Sequence, residues 1–234
     1  LGIAYANSGR YKEAIDAYKE AIRLKPDFVE AHYNLGIAYG KLGRYQEAIE
    51  AFKEAIRLKP DYIDAHYNLG AEYSNLDRNQ EAIQAYKEAI RLKPDDAMAH
   101  NNLGVEYGES GSYQEAIQAY KEAIRLKPDY AMAHYNLGIA YANSGSYQEA
   151  IQVYKEAIRL KPDYADAHNN LGTAYDDLNR YKEAIDAYKE AIRLKPDYAD
   201  AHNNLGVTYG KLGRYQEAIE AYKQAIRLKQ GFAN

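Results

Sequence analysis

Six asparagines recur at one register of the chain, each 34 residues after the last: Asn34, Asn68, Asn102, Asn136, Asn170 and Asn204. A side-chain amide carries both a donor and an acceptor, so a row of amides can bond the backbone of an extended peptide in either polarity. Asparagine is a mediocre helix former, and an exposed helical position has no intrinsic reason to keep it six times. The row therefore predicts a peptide-binding surface, although duplication of one segment would copy it equally well.

Aromatic and aliphatic residues accompany these asparagines on the same predicted helical face. They are Tyr33, Tyr67, Tyr135, Ile37, Val105 and Ile139. Acidic residues occupy a further position of that face, where they are interrupted by two methionines: Glu30, Asp64, Met98, Met132, Asp166 and Asp200. The expected ligand is thus an extended protein or peptide segment of neutral to basic character, with apolar side chains near the middle repeats.

Six histidines also recur every 34 residues: His32, His66, His100, His134, His168 and His202. A metal site would need four ligands at about 2 Å from a zinc ion. Neighbouring helices pack ~8–10 Å apart and each repeat supplies a single histidine, so the row cannot close around one ion. The histidines are predicted to pack between helices, and neither a metal nor another cofactor is expected.

The asparagine and histidine rows must be positioned by repeated helical units, and a recurring heptapeptide of sequence AIRLKPD marks these units. It begins at Ala21, Ala55, Ala89, Ala123, Ala157 and Ala191, and a fixed period of this length predicts stacked helical units. Within residues 29–62, apolar stripes at helical spacing predict a first helix through Leu35 and Tyr39 and a second through Ile49 and Phe52. Gly43 is expected between them in a left-handed conformation, with Asp77 and Asn179 in its place elsewhere.

The pattern Leu35-Gly36-x-x-Tyr39, followed by Ala48, Phe52, Ala55 and Pro60, resembles the tetratricopeptide-repeat signature. His32 stands where that family prefers tryptophan. The resemblance implies an all-α fold, a right-handed superhelical solenoid of stacked antiparallel helix pairs with a concave groove. It covers the chain as one domain, 1–234, with repeats at 1–28 (partial), 29–62, 63–96, 97–130, 131–164, 165–198 and 199–232.

Within that family, the asparagine row is similar to the ladder in the repeat domain of O-GlcNAc transferases, whose asparagines hold the backbone of an extended segment. All six asparagines match it, but no part of the chain resembles the catalytic region of those enzymes. The carboxylate clamp of chaperone co-factors is absent, because Glu30 and its equivalents stand where that clamp needs lysine. The resemblance implies recruitment of a segment and no catalysis.

The composition excludes several other classes of function. Thirty basic and 34 acidic residues are interspersed, so the basic patch of a nucleic-acid-binding protein is missing. No apolar run reaches the ~18–20 residues that span a bilayer, and residues 1–10 lack the pattern of a signal peptide, so we expect no membrane partner and a cytoplasmic location. No nucleophile, base and orienting group recur outside the repeat pattern, which indicates that the chain is not an enzyme.

Three functions follow from these patterns as alternatives. The first is a scaffold that binds extended segments in its groove, and the second is a structural array that assembles end to end. The third is the targeting arm of a larger enzyme, since the chain begins at Leu1 within a repeat and is expected to be part of something longer. Head-to-tail self-association is expected because both ends should expose apolar stacking surface.

Overall fold

The computed structural model describes residues 1–231, which form two compact units, Leu1–Ser112 and the part of the chain that begins at Tyr113. The N-terminal unit contains α1 (Gly2–Asn7), α2 (Tyr11–Leu24), α3 (Val29–Lys41), α4 (Tyr45–Leu58), α5 (Ile63–Ser74), α6 (Asn79–Leu92) and α7 (Ala97–Glu109). The C-terminal unit contains α8 (Tyr113–Leu126), α9 (Ala131–Asn143), α10 (Tyr147–Leu160), α11 (Ala165–Asp177), α12 (Tyr181–Leu194), α13 (Ala199–Lys211) and α14 (Tyr215–Gly231). Every regular element in residues 1–231 is an α-helix, so the all-α prediction is confirmed.

The helices are arranged as repeated pairs that follow the 34-residue period. Repeat 29–62 holds α3 and α4, and repeat 131–164 holds α9 and α10. The last repeat, 199–232, extends one residue past the described part of the chain, and repeat 97–130 spans the boundary between the two units. The assignment of 1–234 to a single solenoid stays a prediction.

The turn inside each pair has the conformation that the sequence predicts. Gly43 has a φ of 70°, and the equivalent Asp77 and Asn179 have φ values of 54° and 57°. The backbone N–H of Arg44 donates to the Tyr39 carbonyl at 3.0 Å, and the N–H of Gly43 donates to Gly40 at 2.9 Å. These two bonds satisfy carbonyls at the end of the first helix and form a Schellman cap.

The histidines tie the start of each odd-numbered helix from α3 to α13 to the loop before it. His32 Nε2 lies 2.9 Å from the Pro26 carbonyl oxygen, and His134 Nε2 lies 3.0 Å from that of Pro128. Because a carbonyl can only accept, the proton must be on Nε2 in both rings. The histidines therefore pack as predicted, and residues 1–231 contain no cluster of three or more potential metal ligands.

In six of the helix pairs, a helical glycine faces an aromatic ring of the second helix. A Cβ added at Gly138 would lie 2.6 Å from Cδ1 and 2.8 Å from Cζ of Tyr154. Tyr154 is 1% exposed and belongs to the apolar core of the C-terminal unit, together with Ile151 and Leu171. The two helices can approach this closely only because position 138 has no side chain.

Candidate functional site

The predicted asparagine ladder is half-buried, because tyrosines of the preceding repeat reach its amides. In the N-terminal unit, Asn68 Nδ2 donates to the Tyr33 hydroxyl at 3.0 Å, and Asn102 Nδ2 donates to that of Tyr67 at 2.9 Å. Helical spacing had placed these side chains on an exposed face, but Asn68 and Asn102 are half-buried. Each bond fixes the orientation of one amide. It leaves the oxygen of Asn68 as an acceptor, whereas the oxygen of Asn102 also accepts from Asn101 Nδ2 at 3.3 Å.

The C-terminal unit repeats this arrangement once and then varies it. Asn170 Nδ2 donates to the Tyr135 hydroxyl at 3.2 Å. At the next step Asn169 replaces the tyrosine, and its Oδ1 accepts from Asn204 Nδ2 at 3.2 Å while its Nδ2 donates to Asn170 Oδ1, also at 3.2 Å. Asn169, Asn170 and Asn204 thus form a short chain of amide–amide bonds along the predicted surface.

The three tyrosines predicted as ligand contacts also pack on aromatic rings. Tyr33 lies 4.8 Å from Tyr62 between ring centroids, and Tyr135 lies 4.7 Å from Tyr164. Tyr67 contacts Tyr86 at 5.7 Å. Burial raises the pKa of these three hydroxyls, so they stay neutral near pH 7 and can accept the amide hydrogens. Each ring remains half-buried and presents an edge on the face that carries the asparagines.

Two predicted contacts, Ile139 and Asn170, line one cleft of ≈160 Å³ in the C-terminal unit. Its other lining residues are Ala142, Asn143, Tyr154, Thr173, Ala174 and Asp177. Ile37 and Val105 are half-buried at the equivalent register of the N-terminal unit. The structure therefore brings an amide of the ladder and an aliphatic side chain together at the same concavity.

The cleft exists because Ala174 is small. Glu72 and Glu106 occupy the same repeat position in the N-terminal unit, and the Glu72 carboxylate lies against Gly40, where it would contact any added Cβ. Glu106 is 2% exposed. Burial raises the pKa of both glutamates, with Asn75 opposing the shift at Glu72 and Ser74 opposing it at Glu106.

A polar cluster lies at the end of α11 next to the cleft. Asp176 is buried, accepts a hydrogen bond from Thr208 Oγ1 at 2.8 Å and forms an ion pair with Lys211. The ion pair raises the pKa of Lys211. The neighbouring Asp177 is exposed and forms no ion pair or hydrogen bond in the described part of the chain.

Sequence reasoning missed Thr173, Asn143 and Asp177, although a signal for them is present. The position of Asp177 varies strongly from repeat to repeat, since it holds Lys41, Asn75, Glu109, Asn143, Asp177 and Lys211. Most other positions are nearly identical from repeat to repeat. A variable residue on the face that carries the asparagines therefore indicates where individual repeats can bind different ligand groups.

Asn34, the first amide of the ladder, lines a larger cavity of ≈390 Å³ in the N-terminal unit. Tyr18 and Phe28 also line it. One repeat later, the equivalent residues are Phe52 and Tyr62, and both of these rings contact Tyr33. Asn34 forms no side-chain hydrogen bond within residues 1–231.

Comparison with known proteins decides the family. A model described as "TPR repeat" matches residues 2–43, and one described as "Tetratricopeptide repeat" matches 29–62 and 63–96. A model of the C-terminal domain of cilia and flagella-associated protein 70 matches 96–231. A crystal structure of MamA is 32% identical, with a TM-score of 0.68, over 71% of this chain and 97% of MamA. The chain belongs to the tetratricopeptide-repeat family.

Other known proteins are similar to the chain at lower identity or over a shorter length. The crystal structure of YrrB, described as a TPR protein with an unusual peptide-binding site, is 24% identical with a TM-score of 0.64, over 78% of this chain and 94% of YrrB. The peroxisomal targeting signal receptor of Candida albicans is 60% identical over 35 residues. That match covers 15% of this chain and 6% of the receptor.

As a tetratricopeptide-repeat array, the chain is a scaffold for protein interaction. The amides and rings described above are set on rigid helices and change from one repeat to the next only at a few positions. Of the helices in residues 1–231, none combines the length and the apolar character needed to cross a membrane.

Proposed function

We propose that the chain binds extended protein segments along the face that carries the asparagine ladder, and that it catalyses no reaction itself. The observation that carries this proposal is the cleft in the C-terminal unit, because Asn170 and Ile139 line it together. An oriented amide beside an apolar wall suits a peptide, whose backbone needs hydrogen bonds and whose side chains need burial.

The tyrosine–asparagine bonds support the same function energetically. An amide that is already held by a hydroxyl, as Asn68 is by Tyr33, loses little side-chain freedom when a ligand arrives. Its oxygen can then accept a backbone N–H. Each such bond contributes only ~0.5–1.5 kcal/mol, so affinity depends on several asparagines binding the segment at once. The groove should therefore tolerate many sequences.

The test begins by selecting twelve-residue peptides from a random display library on the immobilised chain. The tightest peptide is labelled with a fluorophore, and its Kd is measured by anisotropy. Replacing Asn68, Asn102, Asn136 and Asn170 with alanine should raise that Kd more than tenfold, because at least two hydrogen bonds are lost. Circular dichroism should show unchanged helical content.

The matched control is the double variant Tyr67→Phe and Tyr135→Phe. It removes the hydroxyls that hold Asn102 and Asn170 but keeps every amide. We expect its Kd to rise less than that of the fourfold asparagine variant, because the amides lose their fixed orientation but can still bond the ligand. If the fourfold asparagine variant binds as well as the unaltered chain, or loses no more than the tyrosine variant, the ladder is not the binding surface.

A second function, head-to-tail assembly, is favoured by apolar side chains exposed on the outermost described helices. Ile219 on α14 is 46% exposed, whereas Ile185, at the same register of α12, is 4% exposed because α13 covers it. Ile3 on α1 is also exposed. We expect the sedimentation coefficient to rise with protein concentration, and Ile219→Lys to remove that rise. A profile independent of concentration would exclude assembly.

A further inference from the structure

The cleft in the C-terminal unit combines an apolar floor with a polar rim. Tyr154 and Ala174 form the floor, each 1% exposed, and Ile139 forms one wall. Asn143 and Asp177 lie at the rim, and both are exposed. A backbone segment alone would leave this space unfilled, so the cleft suits a side chain with an apolar stem and a polar end.

The rim of the cleft carries a negative charge, that of Asp177. Of the two neighbouring carboxylates, Asp176 is already engaged by Thr208 and Lys211, whereas Asp177 has no ion pair among the described residues. Partial burial and the Asp176 charge raise the pKa of Asp177, and Lys211 opposes them. A carboxylate in such surroundings gains more from a bound cation than a fully hydrated one does.

We propose that this cleft binds an arginine side chain of the extended segment held by the ladder, an assignment that rests on the proposed function. The aliphatic stem lies on Ile139 and Tyr154, and the guanidinium donates to Asp177. Asn143 offers a second acceptor at the rim. Arginine fits better than lysine, because its planar fork presents five donors and is less strongly hydrated than an ammonium group.

The N-terminal unit provides an internal comparison. At the register of the cleft 102 residues earlier, Lys41 stands in place of Asn143, Asn75 in place of Asp177 and Glu72 in place of Ala174. There the Lys41 charge lowers the pKa of Glu72 against the effect of burial. A lysine charge thus already acts on a carboxylate near this register of the N-terminal unit, whereas the residues that line the cleft of the C-terminal unit include no cation.

The first experiment uses the peptides selected in the test of the proposed function. We expect them to share an arginine at one position. Replacing that arginine with citrulline, which has a similar shape and no charge, should weaken binding by about tenfold to hundredfold, since a hydrogen-bonded charge pair is lost. A lysine at the same position should bind between these two.

The second experiment changes the protein. Asp177→Asn should weaken the arginine peptide to the level of the citrulline peptide and leave the citrulline peptide unchanged. Asp186→Asn is the matched control, because Asp186 is exposed on α12, does not line the cleft and changes the net charge equally. The Asp186 variant should bind both peptides as the unaltered chain does.

Several results would overturn the arginine site. They are selected peptides without a shared basic residue, equal binding of the arginine and citrulline peptides, lysine binding as tightly as arginine, and equal effects of the Asp177 and Asp186 variants. If the fourfold asparagine variant still abolishes binding in those cases, the scaffold function stands and only the subsite is wrong. If no peptide binds the unaltered chain, both proposals are overturned.

Discussion

Gly138→Ala is expected to destabilise the C-terminal unit by about 1–3 kcal/mol, the usual cost of overpacking a core. The new methyl group would lie within 3 Å of the Tyr154 ring. That ring is 1% exposed and surrounded by the core of the unit, including Ile151 and Leu171, so it cannot move without opening α9 from α10. Urea unfolding followed by circular dichroism, with amide exchange over both helices, measures the effect.

Gly210→Ala provides a control with the same chemical change and the opposite expected sign. Gly210 is also helical, but no described heavy atom outside its own helix neighbourhood lies within 4 Å of an added Cβ. Alanine should therefore stabilise α13 by ~0.5–1 kcal/mol, because it restricts the unfolded chain more than glycine does. If both substitutions destabilise equally, close approach at Gly138 is not the reason for that glycine.

The double variant Glu72→Gln and Glu106→Gln should be more stable than the unaltered chain near pH 7.5, by about 1–3 kcal/mol. Glu106 is buried and Glu72 is half-buried, and glutamine can keep accepting from Asn75 and Ser74. Burial raises the folded-state pKa of each glutamate above its ordinary value of 4.5. Protonation therefore stabilises the folded state, fully so below pH 4.5, and this contribution is lost as the pH rises through the raised pKa.

The difference between variant and unaltered chain should consequently shrink as the pH falls and vanish at about pH 4, below the ordinary glutamate pKa. Glu54→Gln is the control, because the hydrogen bond from Arg57 lowers the pKa of Glu54. Its substitution should not stabilise the chain at any pH. Urea midpoints measured between pH 4 and pH 7.5 give the comparison, and a gain independent of pH would contradict burial as the cause.

Local rules made most of the fold predictable from the sequence. The turn at Asn179 follows from which residues tolerate a positive φ, and the helix pairs follow from stripes whose spacing fits one turn of helix. These features depend on neighbours within a few residues, and the 34-residue repetition tests each of them several times. The pairing of α3 with α4 was predictable for the same reason.

The candidate site was only partly predictable, because its geometry depends on contacts between repeats. A helical wheel places Tyr33 and Asn34 side by side on one face, but it cannot show that Asn68 will bond the Tyr33 hydroxyl. It also cannot show a cleft that exists because Ala174 is shorter than Glu72. Both require knowing how closely consecutive helices approach, which is a property of the packed array.

The bonds from Asn68 to Tyr33 and from Asn170 to Tyr135 each join residues 35 positions apart, one more than the repeat period. Inserting or deleting a whole repeat therefore keeps an amide and its partner 35 positions apart, whether that partner is a tyrosine hydroxyl or, as for Asn204, the amide of Asn169. A change of any other length would separate donor and acceptor. The array can thus grow or shrink during evolution by crossing over between its own copies. Recombination can therefore lengthen a binding surface built on such bonds by repeating the same contacts.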